Sequence, residues 1–227
     1  MNVLSAIAML ILLSGCGGFR GGIEGVPYLG EPPREASSSH PRWTHEIVLP
    51  DFLVQLSLNN ALRTYQYEVM LYVIPTYIDL WDEFWNRDAD RLELTFQVTA
   101  KDMPVTLDPR ELVLTVDRRD VRPSAVWVNN VERERQVLDA FVKARRLAPP
   151  DQPPSVPKAS EWRDAVLQPV TLKPGERSPR FIVGFPLPLV SPEKSFALDL
   201  NRAVPEPRRS EIPPIRFKPR PWSEGYS

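Results

Sequence analysis

Residues Leu92-Glu93-Leu94-Thr95-Phe96-Gln97-Val98-Thr99 alternate apolar and polar side chains without a break. Successive side chains of a strand point to opposite faces, so this period of two predicts a half-buried strand. Working outward, similar runs occupy residues 52–58, 65–74, 112–116, 121–128, 166–172, 181–185, 196–200 and 215–217. Turn residues separate many of them: Asn59-Asn60, Lys101-Asp102, Asp108-Pro109 and Lys173-Pro174-Gly175-Glu176. Pro pre-sets φ and Gly supplies φ > 0 in such tight turns. The chain has 26 Pro in 227 residues, roughly twice the usual share. Proline breaks helices and sits on strand edges, so the surplus favours sheet and irregular loop over a helical bundle. The predicted fold class is mainly β, an antiparallel sandwich.

One stretch departs from the period of two. Asn129-Asn130-Val131-Glu132 offers an N-cap with a following Glu, and Val137, Leu138, Phe141, Val142, Ala144 and Ala148 then recur at helical spacing. Glu132 and Glu134 lie near the start, Lys143, Arg145 and Arg146 near the end, matching the helix dipole, and Pro149-Pro150 stops the run. The spacing predicts one inserted amphipathic helix over 131–147, followed by a Pro-rich loop over 149–158.

Composition excludes several classes. A hydrophobic fraction of 42% and a charged fraction of 25% suit a folded domain. A net charge of −1 supplies no bulk attraction to nucleic acid. The single Cys rules out a disulfide scaffold within one chain.

That cysteine closes an N-terminal apolar run, Val3 to Leu13, too short to span a bilayer as a helix. The run ends in Leu13-Ser14-Gly15-Cys16, which resembles the lipobox of bacterial lipoproteins. The run is preceded only by Met1-Asn2, without the Lys or Arg that such leaders usually carry. The resemblance implies a signal peptide over 1–15, cleavage before Cys16, and acyl chains on Cys16 that hold the protein on a membrane. Gly17 rather than Asp follows, which by the same resemblance favours the outer membrane facing the periplasm. Residues 16–45, rich in Gly, Pro and Ser, read as the lipidated Cys and a flexible tether with a reach of about 30 Å as a coil. Residues 46–218 are then the sandwich and 219–227 a C-terminal tail, so a chain from His45 onward is expected to fold without the tether. The body resembles, in pattern, the immunoglobulin-like domains of envelope lipoproteins, on Val170-Thr171-Leu172-Lys173-Pro174-Gly175-Glu176 and the strand that follows.

Candidates for chemistry are few. His40 and His45 read as loop imidazoles with no third metal ligand nearby. No Gly-x-Ser-x-Gly elbow and no Gly-rich phosphate loop is present, and the only thiol is assigned to lipid. Asp79, Asp82, Glu83, Asp88 and Asp90 cluster around Arg87, but lack the order of a calcium loop and read as a solvated turn. Trp81 and Trp85, with Phe84 beside them, would share one face of a helical segment. Two readings stand for these rings: they cap the core, or they form an aromatic platform for a partner protein or sugar. No cofactor or metal is implied.

These observations predict a lipid-anchored envelope lipoprotein whose sandwich is a non-catalytic binding or assembly module for an envelope protein or cell-wall partner. The alternatives are a membrane-tethered hydrolase of envelope polymers using a carboxylate pair, and a carbohydrate-binding module using Trp81 and Trp85. Cys16→Ser is expected to abolish incorporation of a fatty-acid analogue, since no other cysteine can accept the lipid. Unchanged label on that variant would rule out the lipobox assignment.

Overall fold

The computed structural model describes residues 16–34, 44–70, 74–85, 91–149, 152–205 and 211–226. The alternating stretch is strand β6 (Leu92–Ala100), on which every second residue is buried. Leu92, Leu94, Phe96 and Val98 are closed off from solvent. On one side β6 pairs with β3 (Phe52–Leu58), which shows the same alternation. On the other it pairs with β13 (Phe181–Phe185), whose residues are all buried. Gly184 of β13 lies under the Trp127 ring, and a Cβ there would come within 2.7 Å of Cζ3. Strand β2 (His45–Val48) extends this sheet past β3, and β10 (Ala125–Asn129) and β11 (Arg163–Ala165) extend it past β13, in the order β11-β10-β13-β6-β3-β2.

A second sheet runs β5 (Ile74–Phe84), β4 (Leu62–Met70), β1 (Cys16–Tyr28), β15 (Ile215–Tyr226), β14 (Phe196–Asp199), β8 (Val113–Val116), β9 (Arg119–Val121). Strands β7 (Val105–Leu107) and β12 (Val170–Leu172) form a small third sheet. One apolar core joins the two large sheets, with Val54, Leu94, Phe96 and Phe181 from the first and Leu114, Phe196, Leu198, Ile215 and Phe217 from the second. Among the described residues the fold is an antiparallel β-sandwich with one α-helix.

That helix, α1 (Val131–Leu147), occupies the residues its spacing predicts. Asn130 Oδ1 accepts the Arg133 N–H at 3.0 Å, satisfying one of the first-turn donors. Yet no residue of α1 is buried, and Leu138 and Val142 stay exposed. It is tied to the body at its first turn, where Asn130 N donates to Trp162 O at 2.7 Å and Arg133 Nη1 to Asp164 Oδ1 at 2.8 Å. The hydrogen bonds from Arg133 and Asn130 hold the Asp164 carboxyl below the usual carboxylate range.

Three expectations are corrected. The presumed tether is in large part strand: Cys16–Tyr28 is a 13-residue strand with neighbours on both sides. Of its glycines, counted as flexibility, Gly21 lies under the Tyr65 ring and Gly22 against the Leu62 carbonyl. Residues 35–43, with His40, lie outside the described residues, as does the leader over 1–15, and His45 opens β2 rather than closing a loop. The presumed tail over 219–227 is also strand, since β15 runs to Tyr226 alongside β1. Pro219 and Pro221 are tolerated because this part of β15 has a ladder on one side only among the described residues. Finally, Trp81 and Phe84 belong to a strand, β5, and not to a helix or turn. The sandwich unit therefore includes residues on both sides of 46–218.

Leu94→Asp or Phe96→Asp places an unpaired charge in the shared core and is expected to cost about 4 kcal/mol or more, abolishing the cooperative transition in denaturant melts. A chain beginning at His45, which lacks β1, is expected to elute as aggregate in size-exclusion chromatography, whereas one beginning at Cys16 elutes as a discrete species.

Candidate functional site

Among the described residues, the core cluster draws none from β1, β4 or β5. Strand β15 pairs with β14 only from Ile215 to Phe217, while its register with β1 continues from Arg216 to Tyr226. The outer part of β15 thus joins β1, β4 and β5 in a four-stranded antiparallel arm. Cys16 stands opposite Met70, Met70 opposite Ile74, and Gly18 opposite Tyr226, so these positions share one end of the arm.

The alternation of side chains gives the arm two unlike faces. On one, charges meet in pairs. Arg20 Nη2 lies 2.9 Å from Glu224 Oε2. Arg63 Nη2 lies 3.0 Å from Glu83 Oε2. Arg220 Nε donates to Glu24 Oε1 at 3.1 Å, and Glu24 is buried. Such a charge is tolerated away from water only because its partner and hydrogen bonds are in place. Beside these pairs Trp222 is buried and meets Trp85 edge to face, with ring centroids 4.9 Å apart. The Arg20 guanidinium lies 4.5 Å from the centroid of the Trp85 ring.

The opposite face is aromatic and glycine-seated. Phe19 stands opposite Tyr67 and Gly225, and Gly21 opposite Tyr65 and Ser223. The Phe19 and Tyr67 rings stack at 5.3 Å, and Tyr67 and Tyr65 at 6.3 Å. A Cβ on Gly21 would come within 2.6 Å of Tyr65 Cε1, so only glycine lets that ring lie across β1. At Gly22, where the register with β4 shifts, a Cβ would collide with the Leu62 carbonyl.

The residues singled out from sequence are placed as follows. Cys16 is the first residue of β1, and its side chain lies outside the described residues. Trp81 is in β5, likewise without a described side chain. Phe84, half-buried, closes β5 opposite Leu62. Trp85 packs on Trp222 and Arg20 instead of sharing a helical face with Trp81. Of the acids, Asp82 is exposed, Glu83 is paired with Arg63, and Asp88 and Asp90 lie outside the described residues. The aromatic set that sequence reasoning missed is Phe19, Tyr67 and Tyr65. Its signal was the period-two spacing of Tyr65 and Tyr67, matched by Phe19 between Gly17 and Gly21. Comparison with known proteins returned no matching family model, curated relative or solved structure.

Two substitutions probe the arm. Glu24→Ala leaves Arg220 without its partner in a largely dehydrated position and is expected to lower stability by about 3 kcal/mol in urea titration. Gly21→Val drives Tyr65 off its seat, with an expected loss of about 1–3 kcal/mol and a changed tyrosine signal in near-ultraviolet circular dichroism.

Proposed function

We propose that the protein is a lipid-anchored bacterial envelope lipoprotein, held by acyl chains on Cys16, whose sandwich serves as a non-catalytic binding or assembly module. The observation that carries the reading is Leu13-Ser14-Gly15-Cys16 closing an apolar run, with Cys16 also the first residue of β1. Two or three acyl chains anchor firmly where one holds only marginally. They would leave the protein from the end of the arm, which puts about 30 Å of sheet, nine residues at the rise of a strand, between the anchor and the body. A sheet of this kind sets distance and orientation together, which a coil does not.

The outer membrane, with the body in the periplasm, is the favoured address, on Gly17 after the anchoring cysteine. The partner is an envelope protein or cell-wall component. Its candidate contact lies along β5, at Trp81, Phe84 and Trp85, since aromatic anchors contribute far more to an interface than solvated carboxylates. The likeness to immunoglobulin-like domains is that of a two-sheet sandwich.

Complementation of a deletion strain tests the non-catalytic reading. Asp79→Asn, Asp82→Asn, Glu83→Gln, Asp88→Asn and Asp90→Asn are each expected to restore function, whereas Trp81→Ala is expected to lower partner recovery about thirtyfold, the equivalent of 2 kcal/mol. A single folded carboxylate variant that lost all function while Trp81→Ala behaved normally would replace binding by a general acid or a metal ligand.

A further inference from the structure

Phe19, close to Cys16 on β1, keeps 45% of its surface exposed. It is the centre of an apolar face that the core does not use. Directly opposed residues of antiparallel strands share a face. Tyr67, opposite Phe19, stands opposite Ile78, and Tyr65 stands opposite Leu80. Phe19, Tyr67, Tyr65 and Ile23 make a charge-free surface across β1 and β4, while Arg20, Glu68, Glu24, Arg220 and Glu224 all fall on the reverse. From strand spacing and rise, the three strands β4, β1 and β15 over about six residues present roughly 300 Å². An apolar patch of that size on a soluble surface marks an interaction site.

Its chemistry distinguishes it from an ordinary core face. Two of its rings are tyrosines, which join an apolar body to a hydroxyl and collect where hydrocarbon meets headgroups. Tyr65 lies over Gly21 and the Phe19 ring meets Gly225, so two of the three rings are seated on glycine. The face is also continuous with the end of the arm that Cys16 shares with Met70. We propose that this face is a second membrane contact, in which Phe19, Tyr67 and Tyr65 sink into the headgroup region of a lipid bilayer beside the acyl chains. The inference rests on the proposed anchoring at Cys16 for the end of the arm that meets the bilayer. Anchor and face together would fix the tilt of the arm, with the face of paired charges turned away from the bilayer.

The test uses the chain from Cys16 onward carrying Cys16→Ser, which retains every described element and has neither leader nor acyl chains. Cosedimentation with phosphatidylethanolamine–phosphatidylglycerol vesicles reads the partition coefficient, and circular dichroism confirms folding. Measurable partition is expected, about tenfold weaker for Phe19→Ser and for Tyr67→Ser, from the apolar area each ring withdraws from water. Glu68→Ser, on the reverse face, is expected to leave it unchanged. Absence of partition, equal partition for all variants, or a self-association lost in Phe19→Ser with no effect on vesicles would overturn the membrane contact, the last by assigning the face to a second copy of the chain. Fatty-acid labelling of the full-length protein is read separately. Loss of the anchor assignment there would leave the vesicle result standing, and failure on vesicles would leave the anchor standing.

Discussion

The ladder between β1 and β15 is the interaction on which the second sheet depends. It joins the first described strand to the last, and its side-chain bonds span nearly the whole chain: Arg20 to Glu224 and Arg220 to Glu24 are separated by 204 and 196 residues. Without β1, β4 and β5 are an isolated hairpin, which is marginal in water, and the outer part of β15 is a strand with no partner. Closing so long a loop costs entropy before any contact offsets it, so this pairing belongs to the late, slow part of folding. The buried Glu24–Arg220 pair adds register, because any slip of one residue would set a buried carboxylate against apolar neighbours.

The arm is built on a trade that composition alone misreads. Glycine weakens a strand by entropy and by the missing side chain. Here that loss is offset by rings from adjacent strands: Tyr65 lies over Gly21, and the Phe19 ring meets Gly225, where a Cβ would stand 3.5 Å from Cε1. The outcome is a sheet with one aromatic face and one face of paired charges. A body supported by such an arm keeps a set direction relative to whatever holds Cys16, and this links the packing of the strands to the proposed anchoring.

Helix α1 follows the opposite logic. Its cap, its charge order and its apolar spacing agree with one another, yet it buries nothing in this chain. Its stability as a 17-residue helix rests on local terms, the Asn130 cap and the ties from Arg133 and Asn130 to Asp164. The sandwich core is complete without it.

Much of the body was legible in sequence. The alternation at 92–99 is β6, residues 52–58 are β3, 181–185 are β13, and the caps and stripe bound α1 at its own residues. Strands β3 and β6 have one face on the core, so burial writes its period directly into the chain, whereas α1 is legible from its cap, its charge order and its spacing. Of the arm, only β4 was legible, in the run at 65–74. Gly17 to Gly25 reads as a coil, residues 219–226 as a proline-rich tail, and Asp79 to Phe84 as a polar turn. Each becomes strand only through a partner far away in the chain, where β15 supplies the ladder, Tyr65 and Phe19 supply the cover for glycine, and Arg63 supplies the counter-charge for Glu83. The sequence by itself determined the sandwich, the helix and the short motif at Cys16 on which the proposed anchoring rests, because periodicity and short motifs are local. Only the tertiary structure decided that Cys16 opens a central strand and that Phe19, Tyr67 and Tyr65 form one surface, because those facts depend on register between segments that local pattern does not relate.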